Sequence, residues 1–471
     1  MGNSKSKEIT KHAKVAFTPE QLQQLEKLFA GLNGGKDLVE RSFLSHFPEN
    51  PDFSIKLFNW MVERSPNHSV DYTNFVGLLE LLLKELKDYY LSDYKFRNLE
   101  KFELFALISL ECLENDKDSI NRFAVSYSQG SIVLRELLNI YSGGQITNSQ
   151  RNDLAARSVT NTIFDQKDEM PFNQFVSMAK AQLIYANKLC KHYFNVKFLG
   201  EQSQIQIPRL NTSSFILNDQ VLALLQLSSP DFSKIKQLQL QFSSSVSEDD
   251  MDHIADIVIN AQKPLLFIFR NREDESQNDT FQQQVFGAYI SIDPTLETHY
   301  IRRKLKDPLN ILYSDNDPKS LYFGDEKSFL FSLLPKYQLF MSTFDQRSKQ
   351  CFAYINNRSF KVDQPLGLAF GGDGKGNHRI WLDENLKGNA TCRINNQCDL
   401  TYEMGYILEP HIEFLNVWHF YLLIKLTCIE IWSVEEKEAN TLLQSKIVEA
   451  GKENTQQKEV EQQKESVIEQ K

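Results

Sequence analysis

The sequence predicts an α+β protein of several domains: an all-helical first half, a β-sandwich with flanking helices, and a C-terminal helical tail. Three observations predict it. Apolar residues recur at helical spacing up to about residue 190. From about Leu210, short apolar strands separated by glycine turns replace them. The final stretch is rich in Glu, Gln and Lys, and its apolar positions are sparse. The divisions read as a basic N-terminus over 1–17, a helical domain over 18–190, a linker over 191–209, a β-domain over 210–433 and a tail over 434–471. A length of 471 residues suits this plan, because domains run to roughly 100–200 residues.

The N-terminus carries its own signal. Met1-Gly-Asn-Ser-Lys-Ser6 matches the acceptor pattern for N-myristoylation, with Gly2 as the acylated residue. Lys5, Lys7, Lys11 and Lys14 follow, against a single Glu8, so four positive charges less one leave +3 over these fourteen residues. One myristoyl chain binds membranes with K of only about 10⁴ M⁻¹, and a basic patch supplies the second signal. A membrane surface contacted through the acyl chain and these four lysines is therefore expected. The apolar stretch that a secretory signal needs is missing from Met1–Lys14.

The whole chain has a net charge of -10 and a pI near 5.5, which argues against nucleic acid as a partner, since phosphate contacts need clustered Lys and Arg. Six cysteines scattered over this length fit reduced thiols in a cytosolic protein. Phe414–Trp432 is long enough to be weighed as a membrane span, but it carries Asn416, His419, Lys425 and Glu430. A charge near a span's centre costs about 2.5–3.5 kcal/mol, so paired buried strands are expected there.

Thr18-Pro19-Glu20-Gln21 opens a helix: Thr caps, Pro fits the first helical position, and Gln reaches back to the cap. Further helical runs lie at Ser54–Val62, Asn74–Leu86, Leu99–Leu113, Ser131–Tyr141, Ser149–Phe164 and Asn173–Lys188. Lys188–Pro208, basic and then polar, reads as a connector. A short pattern recurs at Val70-Asp-Tyr-Thr-Asn-Phe75 and Met170-Pro-Phe-Asn-Gln-Phe175, and more loosely at Leu38–Phe43. An apolar residue, an aromatic two places on and a Phe three further resembles the second half of an EF-hand loop and its exiting helix. Calcium chemistry fails in these loops. With Val70 at loop position eight, Glu63, Ser65 and Asn67 fall at one, three and five, His68 replaces the glycine at six, and Asn74 replaces the bidentate Glu at twelve. With Met170 at that position, Ile163 comes first and Gln174 last. A degenerate EF-hand-like scaffold without a metal is expected.

In the second half, Leu238–Phe242 alternates with period two, and Leu265–Phe269 is a continuous apolar run, as a strand buried on both faces requires. Asp249–Ile259 reads as a helix. Strands follow at Val285–Tyr289, Phe329–Leu334, Gln338–Ser342, Phe352–Ile355, Leu366–Phe370 and Ile380–Leu382. A two-sheet sandwich accounts for this spacing.

Six segments in order carry a family resemblance: Phe286-Gly-Ala288; Gly324 with Ser328-Phe-Leu-Phe331; Gly367-Leu-Ala-Phe-Gly-Gly372; Ile380-Trp-Leu-Asp383 with Leu386 and Gly388; Thr391-Cys392; and Ile429-Glu-Ile-Trp432. Leu210–Trp432 thereby resembles the TLDc domain. Lys327 before the Ser, and Arg379 where a small residue is common before the Trp, depart from the family pattern. The order of acylation signal, EF-hand-like helices, TLDc domain and polar tail resembles the N-myristoylated, lysosomal TLDc proteins tied to mTOR signalling. That resemblance implies a non-enzymatic regulator, peripheral on endolysosomal or vacuolar membranes. It implies binding of the cytosolic V1 sector of the vacuolar proton ATPase through A, B and E type subunits, with room for the tail to reach toward the rotor. The alternative it implies is a signalling or oxidative-stress-resistance adaptor with another main target.

No catalytic constellation emerges. Gly371-Gly-Asp-Gly-Lys-Gly376 lacks the hydroxyl that a phosphate loop places after its Lys. Ser328 lacks an evident base, and Cys392 with Cys398 lacks the further ligands of a zinc site. No cofactor is expected. The candidate partner-binding residues are Gly371, Gly372 and Asp383 in the sandwich, with Leu443 and Ile447 on the apolar stripe of the tail.

Overall fold

The computed structural model describes residues 17–33, 37–48, 50–83, 99–112, 114, 117–141, 153–201, 207–230, 232–245, 251–271, 284–291, 322–343, 352–356, 366–372, 378–384, 386, 390–395, 401–408 and 421–436. Gly2, the four N-terminal lysines, Leu443 and Ile447 lie outside the described residues, as does the tail beyond Glu436.

Helix α1 (Pro19–Leu32) starts as its sequence dictates. The Gln21 N–H donates to Thr18 Oγ1 at 3.3 Å, and the Thr18 N–H donates to Gln21 Oε1 at 3.2 Å. Helices α2 (Glu40–Ser45), α3 (Pro51–Glu63) and α4 (Tyr72–Leu83) follow. The Leu38 N–H donates to the Val70 carbonyl at 2.9 Å, which sets the α1–α2 and α3–α4 loops side by side. Next come α5 (Lys101–Ser109), α6 (Lys117–Arg122), the short strand β1 (Ala124–Ser126), α7 (Tyr127–Tyr141), α8 (Asp153–Phe164), β2 (Glu169–Pro171) and α9 (Phe172–Gln182). In the antiparallel β1–β2 pair, Val125 faces Met170. The helical half is thus two pairs of EF-hand-like units, joined at Leu38–Val70 and at Val125–Met170.

The unit around Val125 escapes the sequence pattern because Gly130 stands where the repeat has Phe. The reason is steric: a Cβ at Gly130 would lie 2.6 Å from Phe164 Cε2. The ring from α8 takes the place of the missing side chain. In the loops, His68 adopts a left-handed conformation (φ 52°) at the glycine position. Asp71 Oδ1 accepts from the Asn74 N–H at 2.8 Å and so caps α4.

Two readings need correction here. Asn173–Lys188 is not one helix: the chain leaves helical geometry at Leu183 and turns, and the Tyr185 N–H donates to the Leu227 carbonyl at 3.0 Å. Lys188–Pro208 is not a connector throughout, because α10 (Ala186–Leu199) runs through its first half and ends at the left-handed Gly200. Lys188, Lys191 and Lys197 occupy the less buried side of that helix, while Leu189, Cys190, Tyr193, Phe194 and Phe198 are buried.

The second half adds β3 (Arg209–Leu210), α11 (Asp219–Ser228), β4 (Ile235–Ser243), α12 (Met251–Asn260) and strands β5 (Leu265–Asn271), β6 (Gln284–Ile290), β7 (Tyr322–Phe323), β8 (Phe329–Leu334), β9 (Gln338–Met341), β10 (Ala353–Asn356), β11 (Gly367–Phe370), β12 (Ile380–Asp383), β13 (Ala390–Asn395), β14 (Tyr421–Leu426) and β15 (Cys428–Glu436). They form two sheets, ordered β3-β4-β15-β5-β6-β8-β9 and β14-β13-β12-β11-β10-β7. Every neighbouring pair is antiparallel except β3–β4. The Phe414–Trp432 region contains strands, but not a pair. After Leu426 the chain changes sheet, so β14 is an edge of the six-stranded sheet and β15 is interior to the seven-stranded one. β15 also absorbs the start of the proposed tail, with Val434 buried opposite Leu238. Among the described residues no helix is long and apolar enough to cross a membrane.

Period-two alternation explains why the seven-stranded sheet is apolar on both faces. Leu265, Phe267 and Phe269 point into the core between the sheets, with Phe286, Ala288 and Ile290. Leu266, Ile268, Tyr289, Phe329 and Phe331 point the other way, into one core continuous with the helices. The order of layers is therefore helices, seven-stranded sheet, six-stranded sheet. Helix α8 lies on the β8–β9 turn through direct bonds. The Asn161 Nδ2 donates to the Pro335 carbonyl at 2.8 Å, and the Tyr337 N–H donates to the Ser158 carbonyl at 3.1 Å. Ser158 Oγ and Thr162 Oγ1 donate to the carbonyls of Leu333 and Tyr337. Lys336 Nζ reaches Asp165 Oδ1, in the α8–β2 loop, at 2.7 Å. Its hydrogen bond and charge hold the Asp165 carboxyl below the usual range.

Candidate functional site

The segments singled out in the sequence fall into three local constructions. The first surrounds Glu430. Its position in β15 points it to the helical side of the sheet, where it is fully buried. Its Oε1 accepts from the Phe215 N–H at 2.7 Å, and its Oε2 accepts from Ser214 Oγ at 2.6 Å and from Trp432 Nε1 at 3.1 Å. Ser214 Oγ in turn accepts from the N–H groups of Ile216 and Leu217. Arg270 Nη1 donates to the Phe215 carbonyl at 2.6 Å. One carboxylate thus fixes the turn that leads into α11, and α11 carries the helical half onto the sheet. This burial of a charge is sustained because both of its oxygens accept hydrogen bonds.

The second construction lies on the outer side of the six-stranded sheet. Trp381 stacks on His378 at 5.3 Å between ring centroids, and His378 stacks on Tyr354 at the same separation. Desolvation pushes the Tyr354 phenol up to about 12. Asp383 accepts from Trp381 Nε1 and from Arg393 Nη2, both at 2.7 Å, so its carboxylate is engaged within the sheet. Gly367 permits the packing. It has φ of 150°, and a Cβ there would lie 2.9 Å from the Trp381 ring.

The third is the glycine-rich turn. Gly371 and Gly372 are buried. Only their backbone acts: the Gly371 carbonyl lies 2.9 Å from His378 Nδ1, the Gly371 N–H donates to the Phe352 carbonyl, and Thr401 Oγ1 donates to the Gly372 carbonyl at 3.0 Å. The turn braces the segment at 401–408. Of the candidate residues, the structure brings Gly371 and Gly372 to that brace and places Asp383 on the outer sheet face. Sequence reasoning missed Glu430 as a clamp, Arg393 as the partner of Asp383, and the 401–408 loop.

Of the groups weighed for chemistry, Ser328 and Cys392 are among the described residues, and Cys398 and residues 373–376 lie outside them. Ser328 Oγ accepts from the Ser291 and Asp325 N–H groups at 3.1 and 3.4 Å. Cys112, Cys190, Cys392 and Cys428 are all buried. Desolvation raises each of these thiols above its ordinary range, the direction opposite to that of an activated thiolate. Among the described residues no three His, Cys, Asp or Glu side chains are placed to hold a metal.

The TLDc domain model matches residues 312–435. This span holds the whole six-stranded sheet together with β8, β9 and β15 of the other. The remaining strands, β3 to β6, complete that sheet from residues preceding the match. No curated protein matches the chain. The match and the strands that it spans agree: this chain carries a TLDc domain at residues 312–435.

Proposed function

We propose that this protein is a non-enzymatic regulator that binds the cytosolic V1 sector of the vacuolar proton ATPase while tethered to endolysosomal or vacuolar membrane through an acylated Gly2. The observation that carries this reading is the TLDc domain at 312–435, joined by the acylation pattern and lysines at the other end of the chain. The physical logic is bivalent. A single acyl chain holds a membrane weakly, and a second contact on the same membrane-bound assembly raises the effective concentration of the first. Among the described residues, the hydrogen-bonded Ser328 hydroxyl and four buried thiols favour the non-enzymatic part.

The test is affinity purification of the full chain and its Gly2→Ala variant after binding to intact membranes, read by mass spectrometry. The full chain is expected to recover A, B and E type subunits. The variant is expected to recover them only weakly from intact membranes, yet to bind purified V1 normally. Intact protein that recovers none of these subunits, and instead a signalling or stress-response complex, would support the adaptor reading.

A further inference from the structure

The segment Thr401–Leu408 is built as a rigid projection. Thr401 and Tyr402 are buried at its start, and Ile407 and Leu408 are buried at its end. Between them Met404 is 91% exposed and Tyr406 is 54% exposed. The backbone is held from below by Arg379, a side chain only 2% exposed. Its Nη1 donates to the Glu403 carbonyl and its Nη2 to the Gly405 carbonyl, both at 2.6 Å, and its guanidinium lies 4.2 Å over the Phe340 ring. The Glu403 N–H donates to the Met341 carbonyl at 2.9 Å, and the Met341 N–H donates to Glu403 Oε2 at 3.1 Å. Gly405 has φ of 147°, and a Cβ there would lie 2.7 Å from Phe340 Cε1. Arg379 is one of the two residues that depart from the family pattern, and its two carbonyl bonds give that departure a structural role.

Resting on the V1 reading, we infer that this projection is the contact by which the TLDc half engages its partner, with Met404 and Tyr406 inserted into an apolar pocket of a protein surface. Two large apolar side chains held on an over-determined backbone lose little conformational freedom on binding, which is what makes an anchor effective. Charge chooses the kind of partner. Residues 401–408 contain no Lys or Arg, and Glu403 stands exposed beside the tip. An anionic lipid surface would be repelled, whereas a pocket with an apolar floor and a cationic rim is complementary.

The experiment measures binding of the full chain to purified V1, using wild type, the Met404→Asp/Tyr406→Asp double variant, and Leu423→Asp as a control at an exposed β14 residue. The double variant is expected to bind at least tenfold more weakly at unchanged melting temperature, with the control unaffected. Equal affinity of the double variant and wild type overturns this inference and leaves the V1 reading standing. Failure of wild type to bind V1 overturns both. Loss of binding to phosphatidylserine vesicles by the non-acylated double variant, relative to non-acylated wild type, would identify the tip as a lipid contact and also overturn the inference.

Discussion

Replacing Glu430 with Gln tests the clamp without changing its volume. Three donors converge on the carboxylate: the Phe215 N–H on one oxygen, and Ser214 Oγ with Trp432 Nε1 on the other. A carboxamide has one acceptor oxygen. If that oxygen stays toward Ser214 and Trp432, the amide NH₂ faces the Phe215 N–H, and the opposite flip leaves two donors without an acceptor. Hydrogen bonds to a charged group contribute about 1.5–3 kcal/mol each, and an orphaned buried donor costs about 1–3 kcal/mol. Because Gln retains part of the set, a loss of about 2–4 kcal/mol is expected. At roughly 2–4 °C per kcal/mol for a domain of about 200 residues, the thermal transition should fall by about 5–15 °C. Differential scanning calorimetry measures the shift. Hydrogen exchange locates it, since the amides of Phe215, Ile216 and Leu217 all depend on the clamp. A transition within about 1 °C of wild type, with protection at those amides intact, would refute the assignment of Glu430 as the element that fixes this turn.

Lys56→Met removes the partner that reaches Glu136 Oε1 at 2.7 Å across α3 and α7. Breaking such a buried pair costs about 3–5 kcal/mol. Desolvation already raises the Glu136 pKa against the opposing effect of Lys56. An acid with a raised folded-state pKa contributes stability below its unfolded pKa and loses it as pH rises through the folded pKa. The variant's denaturation midpoint should therefore fall more at pH 8 than at pH 5, and equal losses would count against the pair. Gly130→Ala forces a methyl to within 2.6 Å of the Phe164 ring, for an expected loss of about 1–3 kcal/mol in urea denaturation. A neutral result would deny that the ring replaces the side chain. In the folded protein at pH 8, Cys392 should be alkylated orders of magnitude more slowly than in urea, as its burial and raised pKa require. Rapid labelling by peptide mass spectrometry would reopen a redox role.

What the sequence discloses, and what it hides, divides along local and non-local lines. The start of α1 is legible because Thr18, Pro19 and Gln21 are all neighbours. The interior strands β5, β6 and β8 are legible because a strand covered on both faces must be apolar throughout. Helix α11 is hidden because it is buried all round, Gln220 and Gln226 included, so it has no polar face to establish a period. β13 is hidden because its six residues hold only Ala390, Cys392 and Ile394 as apolar positions, too short a run to establish a period amid turn-rich sequence. The EF-hand-like unit at Val125 is hidden because Phe164, on another helix, does the work of its missing Phe. The clamp at Glu430 joins residues more than two hundred positions apart, a relation that no spacing rule reports. The same limit explains Gly371, Gly372 and Asp383: their place in the pattern was visible, but not that two are buried braces and the third is already paired.

The shared core changes what the helical half is for. Leu266, Ile268, Tyr289, Phe329 and Phe331 lie on the face of the seven-stranded sheet that the helices cover. Without that cover a row of large apolar side chains would meet water, each worth about 1.5–3 kcal/mol when buried. The sandwich is therefore complete only with the helices in place, and the EF-hand-like units act as its third layer. Their loop chemistry is consistent with that role. Asp165, in the α8–β2 loop, is paired with Lys336 from the β8–β9 turn, and Asp71 in the α3–α4 loop is committed to capping α4. A paired helical scaffold of this type ordinarily moves when its loops bind calcium. Here α8 is fastened to the β8–β9 turn by Ser158, Asn161, Thr162 and Asp165, so that motion would have to break bonds to the sheet. The two halves consequently present one rigid body, in which surfaces of the sandwich such as the 401–408 tip keep a fixed orientation to the helices.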